Sequence, residues 1–175
     1  MQIVFWLEPA EPDRAFYQAI IDRLSEQYDA ARFGAHITLY VDEFDPNLDI
    51  PSLLETVAQD IPVIDLKIDR IQYSGSFTKT LFIQLQSDSK LEQLFEAVRN
   101  YSGSPSGYVL NPHLSLIYSR SLTEAQKQEL ADEIELRDRS IRFDQISVLT
   151  ASKKVETRED IESAQIIHRK RLKLA

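Results

Sequence analysis

The chain has 175 residues, enough for a single domain or two small lobes with a self-sufficient core. It has no cysteine, which excludes disulfides, zinc–thiolate sites, iron–sulfur clusters and thiol nucleophiles. A formal charge of −8 argues against sequence-independent binding of duplex nucleic acid, but a small phosphorylated ligand can still meet a locally positive pocket.

Gln2 to Glu8 is apolar and β-prone and reads as a strand ended by Pro9. It lacks the basic start of a signal peptide, and no apolar run is long enough to span a bilayer. The expected location is therefore the cytoplasm, with no membrane partner. Pro12 suits a first helical turn, and Phe16, Ile20 and Leu24 recur every four residues, which predicts a helix over 12–29. His36 to Val41 is a second strand, followed by an acidic loop from Asp42 to Asp49. Pro51 opens a short helix with Leu53, Leu54 and Val57 on one side, and Val63 to Tyr73 forms a long strand. After a polar turn from Ser74 to Thr80, Leu81 to Leu85 is another strand. Ser89 and Glu92 predict a capping box for the next helix, which ends before a Gly/Ser/Pro-rich loop, Ser102 to Gly107. His113 to Tyr118 is a strand, and Thr123 with Gln126 predicts a second capping box for a helix to about residue 136. Strands are expected at Ile141 to Leu149 and Ala164 to Leu174, the latter holding four basic residues in the six from His168 to Lys173, read as a solvated end.

Laid out this way the chain repeats itself. Strand–helix–strand–helix–strand occurs from 2 to 73 and again from 81 to 149. Leu66-Lys67-Ile68-Asp69-Arg70-Ile71 matches Ile141-Arg142-Phe143-Asp144-Gln145-Ile146 in residue type, and His36-Ile37-Thr38-Leu39 matches His113-Leu114-Ser115-Leu116. The expectation is a duplicated, bilobal α+β fold: one domain over 1–175, with pseudo-repeat lobes over about 1–75 and 76–175 packed as a unit.

The repeated histidines carry the chemistry. Side chains alternate along a strand, so His36 and Thr38 share a face, as do His113 and Ser115, with Ile37, Leu39, Leu114 and Leu116 behind them. A pseudo-twofold would set the four polar side chains across a cleft. Imidazole titrates near neutrality, so one neutral His can take a proton from water while one protonated His gives a proton to a leaving oxygen. Thr38 and Ser115 can donate hydrogen bonds to the phosphoryl oxygens on which charge gathers. The scheme needs no cofactor and no metal, and the sequence has no compelling cluster of metal ligands.

These paired motifs resemble the 2H phosphoesterase superfamily, named for two His-x-Thr/Ser signatures. Phe33-Gly34-Ala35-His36-Ile37-Thr38-Leu39, Asn111-Pro112-His113-Leu114-Ser115-Leu116-Ile117-Tyr118 and the opening Phe5-Trp6-Leu7-Glu8-Pro9 are most similar to its plant and yeast cyclic phosphodiesterases. The resemblance implies two antiparallel-type sheets with outer helices around a central cleft. It also implies hydrolysis of ADP-ribose 1″,2″-cyclic phosphate to the 1″-phosphate and of nucleoside 2′,3′-cyclic phosphates to 2′-phosphates. Carried over residue by residue, His36 and His113 are the acid–base pair and Thr38 and Ser115 the phosphate ligands. Trp6, Phe82 and Tyr118 are then substrate-binding candidates. Tyr118 lies on the face opposite His113 by alternation, and reaches the cleft only if the strand ends or bulges there. The sequence does not say which histidine is the base.

The expected partner is a small cyclic nucleotide or nucleotide sugar, and the expected state a monomer. An RNA 2′,3′-cyclic phosphodiesterase acting on RNA ends is the alternative. Such an enzyme should favour basic residues around its cleft, and the local candidates are Lys79 and Arg120. A phosphate-ligand binding module without turnover would leave two intact motifs idle. An interaction protein working through the basic tail would leave them unexplained.

Overall fold

Alternation makes each strand two-faced, and where the apolar faces meet decides the architecture. The computed structural model describes residues 1–101 and 105–174, so Ser102 to Ser104 of the expected Gly/Ser/Pro-rich loop lie outside them. In chain order the elements are β1 (Gln2–Pro9), α1 (Asp13–Gln27), β2 (Ile37–Glu43), α2 (Ile50–Ala58), β3 (Ile64–Tyr73) and a 3-10 turn (Phe77–Lys79). Then follow β4 (Leu81–Leu85), α3 (Ser89–Tyr101), β5 (His113–Ile117), α4 (Glu124–Glu133), β6 (Ser140–Ala151), α5 (Arg158–Glu162) and β7 (Gln165–Arg171). No helix among the described residues is long and apolar enough to cross a membrane.

The fold is the expected α+β arrangement. Its strands pair antiparallel in the order β1-β2-β5-β4-β3-β6-β7, and a further β1–β6 pairing closes the first six into a ring. The two expected sheets are thereby hydrogen-bonded into one. Within the ring the third strand of each half pairs with the first strand of the other. Leu7 faces Ile146 and Ile71 faces Ile83, so β6 completes the sheet begun by β1 and β2, and β3 completes that of β4 and β5. The halves also touch through their matched segments. Ile37 of β2 pairs with its counterpart Leu114 of β5, and Leu66 of β3 pairs with its counterpart Ile141 of β6. Antiparallel pairing of a residue with its own equivalent is what a local twofold axis produces.

The outer sheet face carries the core. Ile3, Phe5 and Leu7 of β1, Ile37 and Leu39 of β2, and Leu114 and Leu116 of β5 join one buried cluster with Tyr17, Ile21 and Leu24 of α1 and Leu91, Leu94 and Val98 of α3. Burying each aliphatic side chain contributes roughly 1.5–3 kcal/mol. Val4, Trp6, His36 and Thr38, which fall between these positions, are outside the cluster and face the cleft.

One local reading changes. The cap of α3 is Asp88 rather than the expected Ser89–Glu92 box, because the Asp88 carboxylate accepts from the Leu91 amide at 2.9 Å. Glu92 instead accepts the Ser87 hydroxyl at 3.2 Å. Its neighbour Asp88 thus takes the orphan amide of the first turn, which a carboxylate holds well beside the positive helix end. The box at Thr123 and Gln126 is present as expected. The basic last strand is exposed along almost its whole length, as expected, and there Lys170 pairs with Glu55 at 2.5 Å and Arg171 pairs with Asp144.

Candidate active site

The site lies where β1 and β2 meet β4 and β5, and a matching irregularity in each pair shapes it. In β1–β2 the register runs Phe5↔Tyr40 and then Trp6↔Thr38, which leaves Leu39 as an extra residue. In β4–β5 it runs Leu81↔Ile117 and then Phe82↔Ser115, which leaves Leu116 as the extra. A bulge resets alternation beyond it. Leu39 and Tyr40 can therefore both enter the core while Val41 returns to the cleft. Likewise Leu116 and Ile117 are both buried, and Tyr118 returns to the cleft side. The condition on which Tyr118 could reach the cleft is met twice over, by the bulge and by the end of β5 at Ile117.

His36 and His113 line one cavity of about 420 Å³, a size suited to a small ligand. Each ring is fixed in the same way. His36 Nδ1 lies 2.6 Å from the Gly34 carbonyl, and His113 Nδ1 lies 2.7 Å from the Asn111 carbonyl. A carbonyl only accepts, so Nδ1 holds the proton and Nε2 is the free nitrogen of the neutral ring.

Their surroundings differ. His36 is buried and stacks on Trp6 with ring centroids 3.6 Å apart and planes 10° apart. Phe33 packs T-shaped on another side, its ring centroid 6.1 Å from that of His36. Burial drives the His36 pKa down to about 4, with nearby His113 adding to the effect and the Gly34 hydrogen bond opposing it. His113 is half-buried and packs T-shaped with Phe82, ring centroids 5.5 Å apart. Its pKa is also lowered, by burial first and by Lys79, against the Asn111 hydrogen bond.

The other expected residues gather unevenly. Thr38 lines the cavity, and its hydroxyl has no protein partner among the described residues. Ser115 is buried and donates to the Thr78 carbonyl at 2.9 Å. Trp6 lines the cavity with one face given to His36. Tyr118 lines it too, stacked on Phe33 at 4.0 Å. Burial holds the Tyr118 phenol well above its ordinary pKa, so it stays neutral. Phe82, expected as a ring for stacking on a base, instead sits 4% exposed behind His113, covered by the Lys79 ammonium 4.4 Å from its centroid. Of the two basic candidates, Lys79 lines the cavity. Arg120 lines a neighbouring hollow with Glu156 and Arg158.

The sequence reading missed Phe33 as a wall, Thr78, Tyr108 and the segment that closes the far side, Val155 to Ala164. Tyr108 donates to the Thr38 carbonyl at 3.2 Å. A signal existed for the segment: Thr157 and Asp160 form a capping box that starts α5.

A stability prediction arises here. Above pH 6.5, the ordinary histidine value, His36 is neutral whether the chain is folded or unfolded and contributes no pH dependence. As pH falls from 6.5 towards 4 the unfolded chain binds a proton that the folded chain refuses, so stability is lost, by up to about 3 kcal/mol. Denaturant titrations of wild type and His36→Gln at pH 7 and 4.5 should show a smaller acid-induced loss in the variant. Equal losses would mean that the imidazole is protonated in place.

A family model described as the 2′-5′ RNA ligase superfamily matches residues 8–154. A cyclic phosphodiesterase from Arabidopsis thaliana is 22% identical over 136 residues, covering 78% of this chain and 75% of that protein. Among solved structures, TT0787 of Thermus thermophilus superposes with a TM-score of 0.66 at 12% identity and 99% coverage of both chains. E. coli LigT complexed with 3′-AMP gives a TM-score of 0.59 at 17% identity, covering 98% of this chain and 97% of that one. At these identities the structural likenesses speak for the fold.

Proposed function

Because this chain belongs to the 2′-5′ RNA ligase superfamily, we propose that it is a metal-independent phosphoesterase that opens small cyclic phosphates with His36 and His113. The substrates are nucleoside 2′,3′-cyclic phosphates and ADP-ribose 1″,2″-cyclic phosphate. The observation that carries this reading is the pair of imidazoles in one cavity, each locked through Nδ1 to a carbonyl two residues earlier. The cyclic phosphodiesterase relative supports the reaction class. The cavity supports the small substrate, since Lys79 is its one basic side chain other than the histidines among the described residues. A long RNA strand would ask for more cations.

The different surroundings of the two rings allow the roles to be divided. His36, more deeply buried and stacked on Trp6, stays neutral across physiological pH and serves as the base. Its Nε2 takes a proton from water, and the resulting hydroxide bonds to phosphorus. The bridging P–O bond opposite breaks, and His113 as imidazolium gives its proton to the departing sugar oxygen. The product is a phosphomonoester, and exchange with solvent returns both rings to their starting states. Thr38 donates to a non-bridging oxygen. Ser115 can do so by exchanging its bond to Thr78 for one to the phosphoryl group.

Chelator-treated protein should turn over adenosine 2′,3′-cyclic phosphate to the 2′-phosphate at the same rate as untreated protein. The residues supply base, acid and donors, and no group of three or more His, Asp or Glu suited to a metal occurs among the described residues. Loss of turnover in EDTA with recovery on adding a divalent ion would overturn the metal-independent mechanism. Absence of turnover with any cyclic phosphate would overturn the proposal itself. Preference for an oligonucleotide ending in a cyclic phosphate would move the assignment to RNA ends.

A further inference from the structure

The two halves of the site are not equivalent, and the difference lies in one cation. Thr38 has a hydroxyl free to meet a phosphoryl oxygen, whereas its counterpart Ser115 has its proton committed to the Thr78 carbonyl. The second half compensates with a residue the first half lacks. Lys79 stands three residues before Phe82, and the corresponding position before Trp6 is Ile3, which is buried in the core.

Lys79 is held, not loose. The Lys79 carbonyl accepts the Ser74 hydroxyl at 2.5 Å, and its amide donates to the Ser76 carbonyl at 3.1 Å. The ammonium lies over the ring of Phe82, a residue that packs T-shaped with His113 and pairs in register with Ser115. Lys79 makes no ion pair among the described residues, whereas Lys153 and Lys170 are both paired with glutamates. In a chain of charge −8 this unpaired ammonium is the one cationic side chain lining the cavity of the two histidines among the described residues, and the one carboxylate there, Asp160, is engaged by the Glu156 and Thr157 amides and the Thr157 hydroxyl. The ammonium disfavours protonation of His113 in the empty site, a cost that a bound anion would cancel.

We propose that Lys79 is a phosphoryl-contacting residue, a charge-assisted donor to the substrate's phosphate oxygens on the His113 side. The proposal deepens the functional reading above and rests on it for the nature of the substrate. An ammonium meeting a phosphoryl oxygen gives a short, charge-assisted hydrogen bond, and its charge grows more valuable as the oxygens gain charge during attack. Tyr118, neutral beside Ser115, closes the same side without competing for the anion.

The test is direct binding, so that it does not depend on turnover. Calorimetry should compare adenosine 2′-monophosphate, inorganic phosphate and adenosine on wild type, Lys79→Met, Lys79→Arg and Arg120→Met. Lys79→Met should weaken the nucleotide and phosphate by about tenfold or more and leave adenosine unchanged. Lys79→Arg should recover most of the loss, and Arg120→Met, in the neighbouring hollow, should bind as wild type does. Equal nucleotide affinity in wild type and Lys79→Met would overturn the proposal. So would an equal loss for adenosine, which would mark a change of cavity shape rather than of charge. A wild type that binds the nucleotide through Lys79 but opens no cyclic phosphate would leave this assignment standing and remove the catalytic one.

Discussion

His36→Ala and His113→Ala should each lower turnover of a nucleoside 2′,3′-cyclic phosphate by about 10² to 10⁴-fold, the range for removing a general acid or base. The two variants should differ in stability. His36 is buried against Trp6, so its removal leaves a void beneath a half-buried indole, and thermal melting should fall measurably. His113 is more open and its loss should disturb folding less. His36→Gln fills the void without supplying a base, and separates the two effects: it should melt near wild type and still be inactive. If any of these variants turned over cyclic phosphate at close to the wild-type rate, the two-histidine mechanism would be wrong.

The hydroxyls should give the second largest effect. On the proposed mechanism Thr38→Ala and Ser115→Ala each remove a donor to oxygens that gain charge in the transition state, and each should cost about 10- to 1000-fold in rate. Thr38→Ala belongs towards the upper end because its hydroxyl is free in the empty site, whereas that of Ser115 must first leave Thr78. The pH profile separates their role from that of the imidazoles. The proposed mechanism requires neutral His36 and protonated His113, so the profile should be a bell whose limbs belong to the coupled pair. Both pKa values are lowered in the free enzyme, so the bell for kcat/KM should be centred below pH 6.5, the ordinary histidine value. A bound phosphate anion favours imidazolium, so the kcat profile should lie at higher pH. The hydroxyl variants should lower both curves without moving their limbs. A variant that erased one limb would place Thr38 or Ser115 in proton transfer.

Much of this was legible in the chain because it depends on local rules. Alternation along Gln2–Glu8 and His36–Val41, the box at Thr123 and Gln126, and the two His-x-Thr/Ser motifs on matching elements are all short-range signals. They gave the α+β class and pointed to the four polar residues proposed for the site, of which His36, Thr38 and His113 line the cavity and Ser115 lies buried against Thr78. Two errors of local reading have local causes: Asp88 outcompeted Ser89 as a cap, and a five-residue helix at Arg158–Glu162 is too short for an apolar period to reveal it.

What the sequence could not decide depends on register and on contacts between distant residues. The extra residues at Leu39 and Leu116 are set by how β1 and β4 align with their partners, and they help bring Val41 and Tyr118 back to the cleft. The exchange of β3 and β6 between the halves is a choice among strand pairings that leave every strand's alternation unchanged. The inequality of the histidines is likewise tertiary. Trp6 covers one imidazole, while Lys79 above Phe82 stands beside the other, although His-Ile-Thr and His-Leu-Ser look alike as strings. Sequence determined which groups are available for the proposed chemistry. Only the folded chain fixed which ring is more deeply buried, which hydroxyl is free and where the positive charge waits, because burial and long-range pairing set those properties.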